Sequence, residues 1–568
     1  MRISRGLFIR LAGCGAAVAL AINCGRSFAA EEPSASPDWP KADPAAVARW
    51  ESLRFGMFIH WGPVSLTGHE IGWSRGAETP IEVYDRLYQQ FNPTNFNADE
   101  WAGLAQAAGM KYIVLTTKHH DGFCLWDTKL TKYNIMNSPF HRDVVKELAA
   151  ACERHGIEFG AYYSVSDWYQ PDWPTTSPGG TVRRTNSDMD GYEKYLQGQI
   201  TELITNYGPL LTLWNDVPAE FGKRGADTIK LARRLQPDIL INDRTGDGGD
   251  YDTPEQHIGK FQMDRPWESC MTISAHNAWA WGGAQDGVKS TAACLRMLIR
   301  CAGGDGNMLL NVGPRPDGEI DPEQASRLRD IGAWLEKNGG SIYGTRGGPW
   351  EPTALIASTR KGNTIFIHVM RSEDGRVELP AIPAKIKSAT LTGGGKVKFR
   401  QRRGRLVVRV PKSLLQPVDT IVRLELDRPA LDIAALPIGS GIKASASNVY
   451  QNDEAQYGAQ QAFDSDTDTR WATDTGVKQA WIAADLGKRK TVGAVRIQEA
   501  EPYAGRVTEF EFQYRAVHEW KTIFHGTKIG GHFEKSFKPV RAREFRLNIL
   551  DATEGPTIAE IELVGKRR

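Results

Sequence analysis

Two acidic residues of the sequence have surroundings that suit chemistry at a carboxyl group. Asp216 ends a short apolar run that contains Trp214, and Glu268 directly follows Trp267. An indole beside a carboxyl group limits its solvation, and poor solvation favours the protonated acid. One ionised and one protonated carboxyl group, on either side of an acetal carbon, are what hydrolysis of a glycosidic bond requires. The alternative for each residue is a structural carboxylate that caps a helix or pairs with an arginine.

Polar clusters follow other short apolar runs of the first half of the chain. Ordinary loops favour Gly, Pro, Asn and Ser, whereas these clusters also carry His, Trp, Asp and Arg. They therefore indicate a site rather than ordinary loops. The clusters are His60-Trp61-Gly62, Lys118-His119-His120-Asp121-Gly122, Ser166-Asp167-Trp168, Asn242-Asp243-Arg244 and Asn311-Val312-Gly313-Pro314.

Three histidines of these clusters, His60, His119 and His120, could donate and accept hydrogen bonds to hydroxyl groups. Metal binding is the other use of such residues. Neighbouring residues on a strand point to opposite faces, so we expect no metal shared by His119 and His120. A structural role for one of the pair remains open.

The elements that must position these clusters alternate between short apolar runs and amphipathic helical patterns. This alternation predicts a parallel sheet covered by helices. A (β/α)8-like barrel over residues 30–345 is our predicted fold, because a barrel gathers the carboxyl ends of its strands into one site. A doubly wound open sheet is the alternative. The predicted strands are residues 55–61, 112–117, 159–165, 210–214, 239–241 and 308–312.

The second half of the chain has short β-branched runs separated by Gly, Pro and Asp, and no helical periodicity. These features predict a small β-sandwich over residues 346–430 and a second all-β domain over residues 431–568. At 568 residues the chain is also too long for a single core. The sequence therefore predicts a multidomain protein.

Charge and cysteine content exclude several classes of protein. The chain has 70 basic and 68 acidic side chains. It therefore lacks the excess of positive charge that would indicate a nucleic acid as partner. Five cysteines follow the first thirty residues, an odd number without CxxC spacing, which argues against a disulfide scaffold or a zinc site. One disulfide remains compatible with this pattern. The 17 Trp are compatible with a carbohydrate ligand, whose C–H faces stack on indoles.

The first 29 residues read as a cleaved signal peptide. Arg2, Arg5 and Arg10 precede an apolar stretch over residues 11–22 that is too short to span a bilayer. Leu11-Ala12-Gly13-Cys14 resembles a bacterial lipobox but precedes most of that stretch, so we favour a signal peptide over a lipid anchor. We predict a periplasmic or secreted protein without a transmembrane anchor.

Four motifs together resemble the α-L-fucosidases of glycoside hydrolase family 29, over roughly residues 45–345. They are FGMFIHWG from residue 55, ADEWAGLAQAAGMKYIVLTTKHHDGFCLWD from residue 98, PWESC from residue 266 and GGDGNMLLNVGPRPDGEI from residue 303. The resemblance implies a retaining exo-α-L-fucosidase that acts on fucosylated oligosaccharides or glycoconjugates without a catalytic cofactor. It implies that Asp216 is the nucleophile and Glu268 the acid/base. The implied fucose contacts are His60, His119, His120, Tyr163, Trp214 and Arg244.

The sequence departs from this family at two places. Asn215-Asp216-Val217 stands where many relatives have Phe-Asp-Gly, which alters the packing of the nucleophile. Glu70-Ile71-Gly72-Trp73 does not match the Glu-Trp of some members, so neither Glu70 nor Trp73 is assigned a role. The linkage preference, for example α1,3/1,4, is not determined by the sequence. Two alternatives remain: an exo-glycosidase for another galacto-configured sugar, and a non-catalytic glycan-binding protein.

The C-terminal domain resembles discoidin-like (coagulation factor 5/8 type C) domains, which include family 32 carbohydrate-binding modules. The motifs are AFDSDTDTRW over residues 462–471 and WIAADLG over residues 481–487. The resemblance implies one structural calcium ion held by Asp464, Asp466, Thr469 and Glu560, since hard oxygen ligands suit calcium. A solvated acidic turn without a metal is the alternative.

Overall fold

The computed structural model describes residues 39–178, 182–218, 221–259, 261–372, 374–437, 442–464, 467, 469–501 and 503–565. The predicted signal peptide lies outside these residues. Among the helices of these ranges, none has the length and apolar character needed to cross a membrane.

Helices and parallel strands alternate in the first part of the chain, as the sequence predicts. The helices are α1 (Pro44–Leu53), α2 (Ile81–Tyr84), α3 (Ala98–Ala107), α4 (Val144–His155), α5 (Met189–Tyr207), α6 (Arg224–Leu235), α7 (Thr291–Gly303) and α8 (Pro322–Asn338). The strands are β1 (Phe55–Ile59), β2 (Tyr112–Lys118), β3 (Glu158–Ser164), β4 (Thr212–Asp216), β5 (Leu240–Ile241), β6 (Glu268–Thr272) and β7 (Asn307–Val312).

The seven strands form one parallel sheet in the order β5-β4-β3-β2-β1-β7-β6. The irregular segment 250–256 fills the gap between the two edge strands. It hydrogen-bonds to the β5 side through Asp250 N and Ile241 O at 2.7 Å. It hydrogen-bonds to β6 through Glu268 N and Asp252 O at 2.9 Å. The segment therefore takes the place of an eighth strand, and the predicted (β/α)8-like fold is confirmed rather than the open sheet.

Side chains of the strands alternate between two cores. Those that point outward pack against the helices, and α4 shows how the sequence sets this contact. Asp143 caps the α4 N-terminus through a hydrogen bond to Lys146 N, and Gly156 ends the helix with φ +65°. Between them Val145, Leu148 and three further residues are buried. Side chains that point inward form a smaller, largely aromatic core inside the barrel.

All five cysteines that follow the predicted leader are buried and free. Cys152 and Cys294 lie in the outer core on α4 and α7, where the sequence predicts apolar packing. No disulfide therefore holds this part of the chain together.

Two antiparallel sheets follow the barrel. One has the order β12-β15-β10-β9-β8 and the other β11-β14-β13, and both contribute to one apolar core. The strands are β8 (Arg346–Gly347), β9 (Ile356–Lys361), β10 (Thr364–Val369), β11 (Arg376–Pro380), β12 (Ile386–Leu391), β13 (Lys398–Arg402), β14 (Arg405–Arg409) and β15 (Thr420–Leu426).

A third, antiparallel sheet forms the C-terminal β-sandwich. Its order is β17-β22-β18-β21-β19-β20, and β16 pairs with β18. Register shifts interrupt the pairing of the two 20-residue strands, β18 and β21. The elements are β16 (Lys443–Ala446), α9 (Glu454–Tyr457), β17 (Trp471–Ala472), β18 (Ala480–Glu499), β19 (Val507–Ala516), β20 (Glu519–Gly526), β21 (Phe533–Ala552) and β22 (Thr557–Gly565).

Candidate active site

A narrow pocket opens where the carboxyl ends of the barrel strands meet. Its volume is about 80 Å³, well below the roughly 300–1,000 Å³ of sites for larger ligands. It collects side chains from four strands, β1, β3, β4 and β6, and from loops of the barrel. The lining residues are Phe58, His60, Trp73, His119, Tyr162, Trp214, Asp216, Val217, Arg244, Glu255, Cys270 and Trp279.

Asp216, the last residue of β4, is held by hydrogen-bond donors on both carboxylate oxygens. The Tyr162 hydroxyl donates to Oδ2 at 2.8 Å, and Arg244 Nη1 donates to Oδ1 at 3.0 Å. The backbone N–H of Val217 also donates to Oδ1 at 3.0 Å, and His120 Nε2 lies 3.7 Å from Oδ2. Burial alone would raise the pKa of this carboxyl group, but the Arg244 guanidinium and the hydrogen bond from Tyr162 hold the pKa below its ordinary value. The group is therefore an ionised carboxylate suited to nucleophilic attack.

Glu255 is the second carboxylate of the pocket, and the sequence analysis did not identify it. The same Arg244 Nη1 that contacts Asp216 also donates to Glu255 Oε2 at 2.8 Å. Because both oxygens contact one nitrogen, at 3.0 and 2.8 Å, they lie less than about 6 Å apart, which is below the roughly 6.5–9.5 Å of inverting glycosidases. The Glu255 side chain is 42% exposed, against 13% for Asp216. Glu255 therefore faces solvent, from which a proton can come.

Glu268, the predicted acid/base residue, does not line the pocket. It begins β6 and is completely buried inside the barrel. It lies two residues before Cys270, which does line the pocket, and this spacing corresponds to about 7 Å along a strand. Its Oε1 accepts a hydrogen bond from Trp214 Nε1 at 3.2 Å, and its Oε2 accepts one from the Tyr112 hydroxyl. The predicted place of Glu268 beside Asp216 is corrected accordingly.

Tyr163, a predicted sugar contact, also points away from the pocket. Its hydroxyl donates to Gln199 in α5 at 2.8 Å, and its ring packs in the outer core. Successive residues of β3 face opposite sides of the sheet, so Tyr162 points into the pocket instead. The prediction is therefore displaced by one residue.

His60 is a neutral imidazole whose tautomer is set by its partner. Its Nδ1 lies 2.6 Å from Asn311 Oδ1, while the Asn311 amide donates to the carbonyl of Trp279 at 2.7 Å. His60 Nδ1 must therefore carry the proton, which leaves Nε2 as an acceptor. Burial lowers the pKa of His60 to about 3.

His119 and His120 do not point to opposite sides as predicted, because β2 ends at Lys118 and both follow it in a turn. Their ring centroids lie 4.0 Å apart. His120 Nδ1 lies 2.6 Å from Ser164 Oγ, whereas His119 Nδ1, in the described part of the chain, has no hydrogen-bond partner. Burial lowers the pKa of His120 to about 4 and that of His119 well below its ordinary value. Within the described residues, no three His, Cys, Asp or Glu side chains form a metal-binding group.

Aromatic rings form the apolar walls of the pocket. The ring of Trp214 stacks on that of Tyr162 with centroids 5.5 Å apart, and the Arg244 guanidinium lies 5.0 Å from the Trp214 ring. Glu70 accepts hydrogen bonds from the backbone of Trp279 at 2.8 Å and of Ala280 at 2.9 Å, which fixes the loop that carries the Trp279 ring. Such walls suit the C–H faces of a sugar, and the histidines suit its hydroxyl groups.

Trp73, which the sequence left unassigned, stands at the rim of the pocket. Its side chain is among the exposed large apolar ones, at 43%. Its ring makes edge contacts with His120 and Trp168, at centroid distances of 5.4 and 5.5 Å. The Trp73 ring therefore offers an exposed apolar surface at the entrance of the pocket.

The predicted calcium ligands are only partly described by the structure. Thr469 Oγ1 donates to Asp464 Oδ2 at 2.8 Å. Glu560 lies in β22, a strand that contacts the short helix directly before Asp464. Asp466 lies outside the described residues. Three of the four residues thus come from neighbouring elements of the C-terminal sandwich.

Comparisons with known proteins identify relatives of both ends of the chain. Residues 23–340 match the alpha-L-fucosidase family, and residues 442–563 match the F5/8 type C domain. Tissue alpha-L-fucosidase of Rattus norvegicus is 29% identical over 395 residues, which cover 62% of this chain and 83% of that protein. Plasma alpha-L-fucosidase of Homo sapiens is 31% identical over 344 residues, which cover 54% and 72%.

Solved structures give the same result. Alpha-L-fucosidase isoenzyme 1 from Paenibacillus thiaminolyticus has a TM-score of 0.62 and 33% identity, covering 67% of this chain and 99% of that chain. A covalent intermediate of a GH29 alpha-L-fucosidase from Bacteroides thetaiotaomicron, trapped with 2-fluoro-fucosyl fluoride, has a TM-score of 0.61 and 27% identity, covering 69% and 98%.

The burial of the three histidines predicts that their rings stay neutral through the physiological pH range. Their pKa values lie below the ordinary range, so each ring should keep one proton between about pH 5 and pH 7. Nitrogen–proton correlation NMR of the imidazole rings, assigned with single His→Gln variants, would measure this directly. Titration of any of these rings at or above about pH 6 would contradict the desolvated site.

Proposed function

Because the chain belongs to the α-L-fucosidase family and is a glycoside hydrolase of that type, we propose that it removes terminal α-L-fucose from glycans with retention of configuration. Asp216 is the proposed nucleophile and Glu255 the proposed acid/base. The observation that carries this assignment is the single Arg244 nitrogen that contacts both carboxylates, at 3.0 and 2.8 Å. This spacing suits a double displacement, since inverting enzymes need roughly 6.5–9.5 Å to admit a water molecule.

In the first step, Asp216 forms a bond to the anomeric carbon as the bond from that carbon to the aglycone oxygen breaks. The electron pair of the broken bond stays on the aglycone oxygen, which takes the proton of Glu255. The product is a β-fucosyl ester of Asp216. Arg244 and Tyr162 favour this step because they keep Asp216 ionised before it attacks.

In the second step, water attacks the anomeric carbon and gives its proton to Glu255. The ester bond breaks, and its electron pair returns to Asp216 as a carboxylate. Two inversions give net retention, so the released sugar is α-L-fucose. The 42% exposure of Glu255 supports this role, because water must reach the residue that activates it.

The pocket walls support fucose as the sugar. His60 Nε2 and the His119 ring, which line the pocket, are suited to ring hydroxyls. His120, the third predicted histidine contact, is not among the lining residues. Phe58, Tyr162 and Trp214 surround the space with apolar surface, which suits the C5 methyl group of fucose. A galactose-like sugar has the same hydroxyl configuration but carries a polar hydroxymethyl group there. An apolar wall would leave that hydroxyl without a partner, so fucose is preferred.

The direct test is release of nitrophenol from p-nitrophenyl α-L-fucoside. We expect turnover by the native protein, and a loss of roughly 10⁴-fold or more in kcat in Asp216→Ala, because the nucleophile is removed. Added azide should restore activity to Asp216→Ala and give β-fucosyl azide, since the small anion fills the space of the carboxylate. The configuration of the azide product, read by NMR, identifies the nucleophile.

The alternatives predict different results in the same assay. Faster hydrolysis of p-nitrophenyl galactosides than of the fucoside would support another galacto-configured substrate. Fucose binding without hydrolysis of the aryl fucoside or of fucosylated trisaccharides would support a non-catalytic glycan-binding protein. Trisaccharides with different linkages also measure the linkage preference.

Glu255→Gln and Glu268→Gln form a matched pair that distinguishes the two candidate acids. Glu255→Gln should lower kcat/KM by roughly 10²–10⁴-fold on natural fucosides but less on the nitrophenyl fucoside, whose leaving group needs little protonation. Azide should accelerate this variant and give α-fucosyl azide, because azide attacks the covalent intermediate. Glu268→Gln should lower activity on both substrates by the same factor.

The opposite pattern would restore Glu268 as the acid. In that pattern, azide accelerates Glu268→Gln, and this variant loses more activity on natural fucosides than on the nitrophenyl fucoside. Glu255→Gln then shows neither effect. Thermal unfolding of both variants checks that a loss of activity does not reflect unfolding.

We also propose that Asp464, Asp466, Thr469 and Glu560 hold a structural calcium ion in the C-terminal domain. The chemistry of the set fits, since all four side chains offer oxygen atoms. Asp464 and Thr469 are within hydrogen-bond distance, at 2.8 Å. The proposed export of the protein to the periplasm or the exterior would place this domain where calcium is abundant.

Calcium should raise the melting temperature of the native protein, and EGTA should lower it. Calcium at about a hundred times its dissociation constant adds roughly 2.7 kcal/mol of stability to the folded state. Asp464→Asn should lose this response, whereas Asp551→Asn, an exposed acid of the same sandwich, should keep it. Calorimetry with and without EGTA measures the shift. An equal response in Asp464→Asn would contradict the assigned ligands.

A further inference from the structure

The backbone directly after the nucleophile has a conformation that valine rarely adopts. Val217 has φ +46°, in the left-handed region that favours glycine. A β-branched residue at positive φ is strained, and it persists only where its surroundings hold it there. Something in this protein must therefore hold the turn that glycine would adopt without cost.

Ser166 supplies that contact. Its hydroxyl donates to the carbonyl oxygen of Val217 at 2.6 Å, and the Ser166 residue is only 2% exposed. The preceding carbonyl, that of Asp216, accepts a hydrogen bond from the backbone N–H of Val165 at 2.8 Å. With both carbonyl groups held, the peptide between Asp216 and Val217 has one orientation. In that orientation its N–H donates to Asp216 Oδ1 at 3.0 Å.

The same serine belongs to a closed ring of contacts around the nucleophile. Ser164 Oγ donates to the Ser166 carbonyl at 2.6 Å, so it accepts from His120 Nδ1, which lies 2.6 Å away. The other ring nitrogen of His120 lies 3.7 Å from Asp216 Oδ2. Ser164, Ser166 and Val217 thus connect the two carboxylate oxygens of Asp216 through one continuous chain of contacts.

We propose that Ser166 is a positioning residue that clamps the strained turn at Val217 and so fixes the orientation of the Asp216 carboxylate. Without the hydroxyl, Val217 relaxes toward negative φ. The peptide before it then turns, and its N–H leaves Asp216 Oδ1. Misplacement of a reacting group by about 1 Å is enough to cost roughly a hundredfold in rate. This inference rests on the proposed role of Asp216.

A double-mutant cycle with Ser166→Ala and Val217→Gly tests the clamp. Ser166→Ala should slow the first step, measured as the rate of covalent trapping by 2-fluoro-fucosyl fluoride, by roughly 10- to 100-fold. Glycine has no strain at positive φ and does not need the clamp. Ser166→Ala should therefore cost much less in the Val217→Gly background, about threefold or less, so the two changes couple.

Ser341→Ala is the matched control. Ser341 is also 2% exposed, its hydroxyl donates to the Asn338 carbonyl at 2.7 Å, and neither residue lines the pocket. Ser341→Ala should leave the trapping rate unchanged while it lowers the melting temperature about as much as Ser166→Ala does. A purely structural role for Ser166 would lower stability in the same way without the kinetic defect.

Two results would overturn the clamp. One is a trapping rate in Ser166→Ala equal to that of the native protein. The other is an equal loss from Ser166→Ala in the Val and Gly backgrounds, which would show that the serine acts independently of the strained turn. Asp216→Ala separates this failure from failure of the proposed function. If Asp216→Ala keeps full activity without azide, the assignment of Asp216 as nucleophile is wrong. If Asp216→Ala is inactive but Ser166→Ala is unaffected, only the proposed role of Ser166 is wrong.

Discussion

One guanidinium nitrogen placed between two carboxylates is the constraint on which the rest of the site depends. Arg244 can hold Asp216 and Glu255 together only because its other nitrogens are fixed. Its Nε donates to Thr253 Oγ1 at 2.9 Å and its Nη2 to the Thr253 carbonyl at 2.8 Å. Thr253 and Glu255 both belong to the irregular segment that replaces the eighth strand. The break in the regular barrel therefore supplies the anchor of the arginine and the second carboxylate.

These charges are buried, and burial determines which polar groups of the site are charged and which are neutral. Burial keeps His60, His119 and His120 neutral, because a protonated imidazole would lose its hydration there. Arg244 is then the permanent positive charge beside Asp216. A neutral ring with one fixed proton has one donor and one acceptor at known positions, which is what recognition of a hydroxyl group requires. In the proposed mechanism, the charge of Arg244 stabilises the Asp216 carboxylate, while neutral imidazoles form the hydrogen bonds to the sugar.

The sequence predicted the alternation of elements well and individual side-chain directions less well. Apolar runs identify β1 to β5 and β7 because those strands are buried on both faces. β6 was missed because Glu268, Ser269 and Thr272 make it polar, although all three are buried. The resemblance placed a sugar contact at Tyr163, whereas its neighbour Tyr162 faces the pocket, because successive residues of a strand face opposite sides of the sheet. Glu255 had no signal at all, since it lies in a segment without periodicity or a neighbouring indole.

Glu268 shows that a carboxyl group with a raised pKa need not line the pocket. Its sequence neighbour Trp267 packs in the outer core, and the indole that contacts it in space is Trp214. Burial raises the pKa of Glu268 to about 7, against hydrogen bonds from Tyr112 and Trp214 that lower it. That value would suit a general acid. Glu268 is nevertheless fully buried and outside the pocket lining, and its oxygens accept hydrogen bonds from Tyr112 and from Trp214, whose ring forms a wall of the pocket. Glu255 lines the pocket and has a side chain that is 42% exposed, so access to substrate and to water favours Glu255 as the proposed acid.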